Sequence, residues 1–166
     1  MIGQTFGYMR NKVCSELIQN KNVVKALVME NKNFLNITPN EEQRNYINNP
    51  VSLIRNYVYP YKKIFDTATE HKTFICIELS NFNKVGKNYR NGLVTFYILT
   101  PIELEKTTYG MRYDYIGDEI EKIFTDTTIG EFNFHSRGDI DVGDRYIGHY
   151  ITFRITEFHI NRDWFK

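Results

Sequence analysis

Apolar residues recur along the first third of the chain at the spacing of amphipathic helices. The stripe that predicts a first helix over about residues 4–20 is Phe6, Met9, Val13, Leu17 and Ile18. After a polar break at 20–22, apolar positions between 23 and 28 predict a second, short helix. Thr38-Pro39-Asn40 and Asn49-Pro50 each indicate the start of a further helical turn.

Near residue 70 the pattern changes from helical spacing to runs of β-branched and aromatic residues. The predicted strands are 73–79, 92–99, 130–135 and 146–155. The polar stretches 81–91 and 139–144 are too short for crossover helices, so each pair of strands is expected to form an antiparallel hairpin.

One helix is predicted between the two hairpins, over about residues 109–124. Its apolar face is formed by Met111, Tyr115, Ile116, Ile120, Ile123 and Phe124. Its charged residues, expected to lie largely on the solvent side, are Arg112, Asp114, Asp118, Glu119, Glu121 and Lys122. The predicted fold class is therefore α+β, with a four-stranded antiparallel sheet packed on helices.

The length of 166 residues fits a single domain over 1–166. Within it we expect N-terminal helices (1–32), an insertion-like helical and extended segment (33–70), the sheet with its helix (71–157) and a C-terminal tail (158–166).

Composition excludes several classes of protein. With 21 Lys and Arg against 20 Asp and Glu, the net charge is +1, which argues against a generalised polyanion binder. No apolar run approaches the ~18–20 residues of a membrane helix, and no basic-then-apolar leader is visible, so we expect no membrane association. Cys14 and Cys76 match no metal-binding spacing and are expected to be buried, reduced thiols.

The carboxylates that alternate from Asp139 to Asp144 do not match a calcium-binding loop. An EF-hand requires a ligand at position five, Gly at six and Glu at twelve, whereas these positions hold Gly143, Asp144 and Tyr150. The sequence has no Gly-x-Ser-x-Gly turn and no glycine-rich phosphate loop. We therefore expect no catalytic residues, no metal, no cofactor and no enzymatic activity.

The remaining candidate residues are those of interaction surfaces. One polar loop is basic (Lys84, Lys87, Arg90), another is acidic (Asp139, Asp141, Asp144), and the C-terminal end carries Trp164 and Phe165. The basic loop suits contacts between subunits or contacts with nucleic acid. Trp164 and Phe165 either fold back on the core or dock on another subunit.

Three segments, in this order of elements, resemble the tail terminator family of long-tailed bacteriophages. They are Thr73–Leu79, Gly92–Pro101 leading into the Arg112-Tyr113-Asp114 helix, and Gly148–Phe153. The resemblance implies a small α+β subunit of the virion tail and neck, assembled in the host cytoplasm. It further implies a ring, usually of six subunits, that closes the tail tube near the packaged DNA. Another head–tail connector, such as a stopper or adaptor, and a small nucleic-acid-binding module remain alternatives.

In such a ring, identical subunits meet head to tail. We therefore expect the basic and acidic loops to pair across subunits, adding register more than affinity.

Overall fold

The fold is a mixed five-stranded sheet with helices packed against one face. It is seen in a computed structural model, which describes residues 2–62, 71–85 and 89–158. The helices are α1 (Ile2–Gln19), α2 (Lys21–Val28), α3 (Glu41–Asn48) and α4 (Arg112–Thr125). The strands are β1 (Val58–Tyr59), β2 (Phe74–Val85), β3 (Tyr89–Pro101), β4 (Lys106–Thr107), β5 (Gly110–Met111), β6 (Gly130–Ile140) and β7 (Tyr146–Phe158).

The sheet order is β1-β2-β3-β7-β6, and β4 and β5 form a separate two-stranded sheet. The α+β class is confirmed, but the prediction of four purely antiparallel strands was wrong. β1 adds a fifth strand, parallel to β2 through the pairs Val58↔Ile75 and Tyr59↔Cys76. The position ahead of Pro60 predicts extended backbone over 57–61, but two residues are too few to show the alternation that identifies a strand in a sequence.

The first hairpin is longer than predicted, because most of the polar stretch 81–91 is strand. The pairing jumps from Ser80↔Leu93 to Asn83↔Asn91, so Asn81 and Phe82 together oppose Gly92 in a β-bulge. Asn81 adopts the left-handed conformation, with φ of 55°. A Cβ atom on Gly92 would lie 2.5 Å from the Phe82 ring, so this position requires glycine.

The second hairpin is also longer, since β6 continues to Ile140. Asp139, predicted to begin a turn, lies in the strand opposite His149. The polar side chain of Asp139 is compatible with a strand because its carboxylate has a hydrogen-bond partner, His149, on the neighbouring strand.

The main core lies between the helices and one face of the sheet. The predicted stripe of α1 is confirmed at Met9, Val13 and Leu17, which are fully buried. α3 begins after Asn40, as predicted, with a capping box between Asn40 and Gln43. Phe34, Leu53 and Val58, from the predicted insertion-like segment, are buried in the same core.

α4 begins at Arg112, three residues later than predicted, because Gly110 and Met111 belong to β5. The prediction that Arg112 and Glu119 face solvent was wrong, since both are buried. Glu119 accepts hydrogen bonds from Asn20 Nδ2 and Lys122 Nζ, each at 3.2 Å. These partners allow a carboxylate on the core-facing side of α4. Periodicity along one helix does not reveal them.

Candidate functional site

The strand positions 84 and 90, which flank the basic loop, and the acidic turn lie at opposite ends of the sheet. β3 and β7 are antiparallel, with Gly92 opposite Ile155 at one end and Pro101 opposite Tyr146 at the other. The β2–β3 hairpin continues beyond the first end, and the turn between β6 and β7 adjoins the second. At about 3.3 Å per residue, the β3 segment from Gly92 to Pro101 spans about 30 Å, so the two loops cannot meet within one subunit.

The first of these ends is defined as the basic end. The backbones of Lys84 and Arg90 pair with each other in the hairpin, while Lys87 lies outside the described residues. Trp164 and Phe165 also lie outside them, so both interpretations of the C-terminal aromatics remain open.

A polar cleft of about 440 Å³ opens at the basic end, beside the bulge. Its polar lining comes from three strands, with Asn81 and Asn83 on β2, Asn91 on β3, and Arg154 and Thr156 on β7. No carboxylate lines it among the residues that the structure describes, so the only charge in this lining is the guanidinium of Arg154.

The opposite end of the sheet, defined as the acidic end, carries the turn between β6 and β7, which is anchored to the sheet. Val142 is buried in a small cluster with Tyr146, and the Asp141 carboxylate accepts a hydrogen bond from the Gly143 amide at 3.2 Å. Gly143 has φ of 91°, which glycine adopts without strain. Asp144 is exposed and forms no hydrogen bond or ion pair with the described part of the chain. The acidic end therefore presents its carboxylates on an ordered turn.

Asp139 differs from the other two acidic candidates, because it belongs to a network between β6, β7 and α4. Arg137 Nε donates to His149 Nε2 at 3.0 Å, and Arg137 Nη1 donates to Asp118 and Glu121 at 2.9 and 2.8 Å. A guanidinium only donates, so His149 Nε2 is the acceptor and the imidazole carries its proton on Nδ1. Nδ1 then donates to Asp139 Oδ1 at 3.1 Å, and both ring nitrogens of His149 are occupied.

The surroundings of this network hold it in place. Tyr113 stacks on the His149 ring at 5.2 Å, and the side chain of His149 is only 7% exposed. Burial alone lowers the pKa of Arg137, but the hydrogen bonds and charges of Glu121 and Asp118 outweigh it and raise that pKa. A Cβ atom on Gly117 would lie 2.6 Å from Arg137 Nη2, so the absent side chain admits the guanidinium.

Two spacings in the sequence carry a signal for this network. Arg137 and Asp139 are two apart on one strand, and Asp118 and Glu121 are three apart on one helix. Such spacings place each set on a single face.

We expect Arg137→Met to lower the free energy of unfolding by about 1–2 kcal/mol, because it leaves the buried His149 Nε2 without its donor. Urea denaturation measures this loss. The exposed Arg145 provides the matched control, and Arg145→Met should change stability by less than about 0.5 kcal/mol. Equal effects of the two substitutions would contradict a stabilising role for the network.

Both cysteines are buried and neither forms a disulfide, and burial raises the pKa of the Cys14 thiol to about 11. Residues 2–62, 71–85 and 89–158 contain no group of three or more His, Cys, Asp or Glu side chains placed to hold a metal ion. None of the helices described is both long and apolar enough to cross a membrane.

Comparison with known proteins places the chain in a family. No curated protein and no solved structure matches it. A family model described as YomW matches residues 20–155. That name is of the SPbeta phage type and indicates a phage protein, without specifying a tail terminator. Because the match covers most of the chain, this protein belongs to the YomW family.

Proposed function

We propose that this protein is a tail terminator of a tailed phage, which forms a ring at the head–tail junction, caps the tail tube and joins it to the neck. The observation that carries the proposal is the separation of charge along one sheet. Loop 84–90 has three cations and no acid in its sequence, whereas the turn between β6 and β7 carries Asp141 and Asp144 beside one cation, Arg145. The strands that bear the loop and the turn place them at opposite ends of the sheet.

This separation favours contacts of one kind. The basic end cannot reach the acidic end of its own subunit, about 30 Å away. Two copies that met through the same end would bring like charges together, which is unfavourable. The charges of each basic end are therefore best paired by the acidic end of the next copy. Such a head-to-tail contact closes into a ring when the rotation between copies is suitable.

The family and the resemblance support the remaining parts of the proposal. A phage protein with an α+β fold agrees with a virion subunit, and the element order resembles tail terminators, whose rings usually contain six copies. The tail tube and the neck proteins are the expected partners, and the virion tail and neck the expected location. Gold labelling of the chain in purified virions distinguishes a terminator at the end of the tail tube from a stopper or adaptor nearer the head.

Reversal of charge at one end is expected to abolish assembly, and reversal at both ends to restore it. The basic variant combines Lys84→Glu, Lys87→Glu and Arg90→Glu, and the acidic variant combines Asp141→Lys and Asp144→Lys. Asp139 is left unchanged because it binds His149. Native mass spectrometry at low salt, with and without the tail-tube protein, should detect a species about six times the subunit mass of 19.8 kDa.

Two results would contradict the proposal. One is a ring that survives reversal at a single end. The other is a wild-type chain that stays monomeric at every concentration, both alone and with the tail-tube protein.

Nucleic-acid binding is the second candidate function, favoured by the same basic end. The segment from Asn81 to Gly92 holds three cations and no acid, and Arg154 lies beside it. Such a site predicts DNA binding that weakens steeply with salt. Reversal at the acidic end would not restore DNA binding to the basic variant, whereas it should restore assembly, so the double variant separates the two functions.

A further inference from the structure

We propose that the cleft at the basic end receives the Asp141–Asp144 turn of a second copy of this chain, and that Arg154 binds the Asp144 carboxylate. The inference rests on the proposed function, because it names the surfaces through which neighbouring subunits of the ring meet.

Arg154 is the cation that this cleft offers. It is exposed, and within the described part of the chain its guanidinium forms no hydrogen bond or ion pair. Arg112 and Arg137, in contrast, are fully engaged by carbonyls, carboxylates or His149. A free guanidinium can hold a carboxylate through two parallel N–H bonds, and this geometry makes it the preferred partner of Asp and Glu.

The neutral lining of the cleft also suits a peptide turn. The exposed carboxamides of Asn81 and Asn83 can both donate to and accept from the main chain of an incoming turn. Its described lining contains no carboxylate that would lie against an acidic guest.

The Asp141–Asp144 turn presents the carboxylate that the cleft would bind. Asp144 is exposed and unpaired among the described residues, whereas the carboxylate of Asp141 is held by the Gly143 amide. Val142 and Tyr146 anchor the turn in a cluster with Tyr59 and Phe74. Because the turn is ordered before it binds, association costs less conformational entropy than the docking of a flexible loop.

The cleft and the turn lie at opposite ends of β7, at Thr156 and ahead of Tyr146. They are therefore about 30 Å apart in one copy, and contact between them requires two copies.

Cross-linking tests this contact directly. A variant carrying Arg145→Cys and Thr156→Cys, which keeps the Asp144 carboxylate, should form a ladder of multimers when treated with a short bis-maleimide. Cys14 and Cys76 are buried and should not react. The matched control combines Arg145→Cys with Glu42→Cys, an exposed position on α3, and should yield no more than the dimers that Arg145→Cys forms alone. Equal ladders in both variants, or none in either, would overturn the inference.

Charge exchange supplies a second, independent test. Arg154→Glu should weaken association at least tenfold in native mass spectrometry or sedimentation, and addition of Asp144→Arg should restore it. Arg44→Glu, an exposed arginine on α3, controls for net charge and should have no effect.

The outcomes separate the two proposals. A ring that is lost on reversal of loop 84–90 but survives Arg154→Glu overturns this inference and leaves the proposed function in place. A chain that neither assembles nor cross-links overturns both. If Arg154→Glu lowers affinity for a labelled DNA strand, and Asp144→Arg restores no assembly, the occupant of the cleft is nucleic acid and the inference is wrong.

Discussion

Arg112→Ala is expected to lower the free energy of unfolding by about 3–5 kcal/mol, because it removes a buried charge and leaves its partners unpaired. Arg112 is 1% exposed. Its guanidinium donates to five main-chain carbonyls at 2.8 to 3.3 Å, those of Ala26, Met29, Glu30, Asn31 and Leu104.

The position of these carbonyls explains the size of the effect. Four of them lie at or just beyond the end of α2, where the last carbonyls of a helix have no partner within the helix. Arg112 satisfies them from the first turn of α4 and also lies 5.1 Å from the Phe34 ring centre. Burial lowers the pKa of Arg112 to about 10, so the side chain remains charged at neutral pH. Its loss therefore uncouples α4 from the end of α2.

Urea denaturation followed by circular dichroism measures the change. Arg112→Lys should give an intermediate loss, since one ammonium group cannot reach all five carbonyls. Arg44→Ala, at an exposed position on α3, is the control and should stay within about 0.5 kcal/mol of wild type. An Arg112→Ala protein as stable as this control would show that water replaces the guanidinium at little cost.

Phe124→Ala is expected to have an effect of similar size, about 3–5 kcal/mol, because it opens a cavity in the aromatic core. Phe124 is fully buried on α4. Its ring centre lies 4.9 Å from Phe96, 5.0 Å from Phe132 and 5.8 Å from Phe153, so one side chain joins the helix to three strands.

The matched control for this substitution is Phe134→Ala. Phe134 also lies on the sheet, but it is 54% exposed and its removal leaves no enclosed cavity. We expect it to cost less than about 1 kcal/mol in thermal or urea unfolding. Comparable losses from the two phenylalanines would mean that Phe124 does not occupy the core.

Local periodicity was sufficient to predict most of the helices and strands. The apolar stripe through Met9, Val13 and Leu17 is fully buried, and so are Ile116 and Ile120 on α4. These positions could be predicted because the pattern of a helix depends on the neighbours three and four residues away. β1 could not, since it is a strand only through its pairing with β2.

Prediction of burial and of turns from the sequence failed at three polar residues. Arg112 and Glu119 resemble solvent-facing residues of an amphipathic helix, yet both are buried against partners far away in the chain. Asp139 resembles a turn residue, yet it accepts a hydrogen bond from His149. A buried charge is stable only with such partners, and a one-dimensional pattern does not contain them.

The sequence alone determined the α+β class, most element positions and the composition of the two charged loops, because these depend on residue type and short-range spacing. Only the tertiary structure decided that the loops lie at opposite ends of one sheet and that Arg154 joins three asparagines in a cleft. Strand order and register set these distances, and both arise from pairing between residues remote in the chain. The proposed assembly therefore depends on strand order and register, which only the tertiary structure shows.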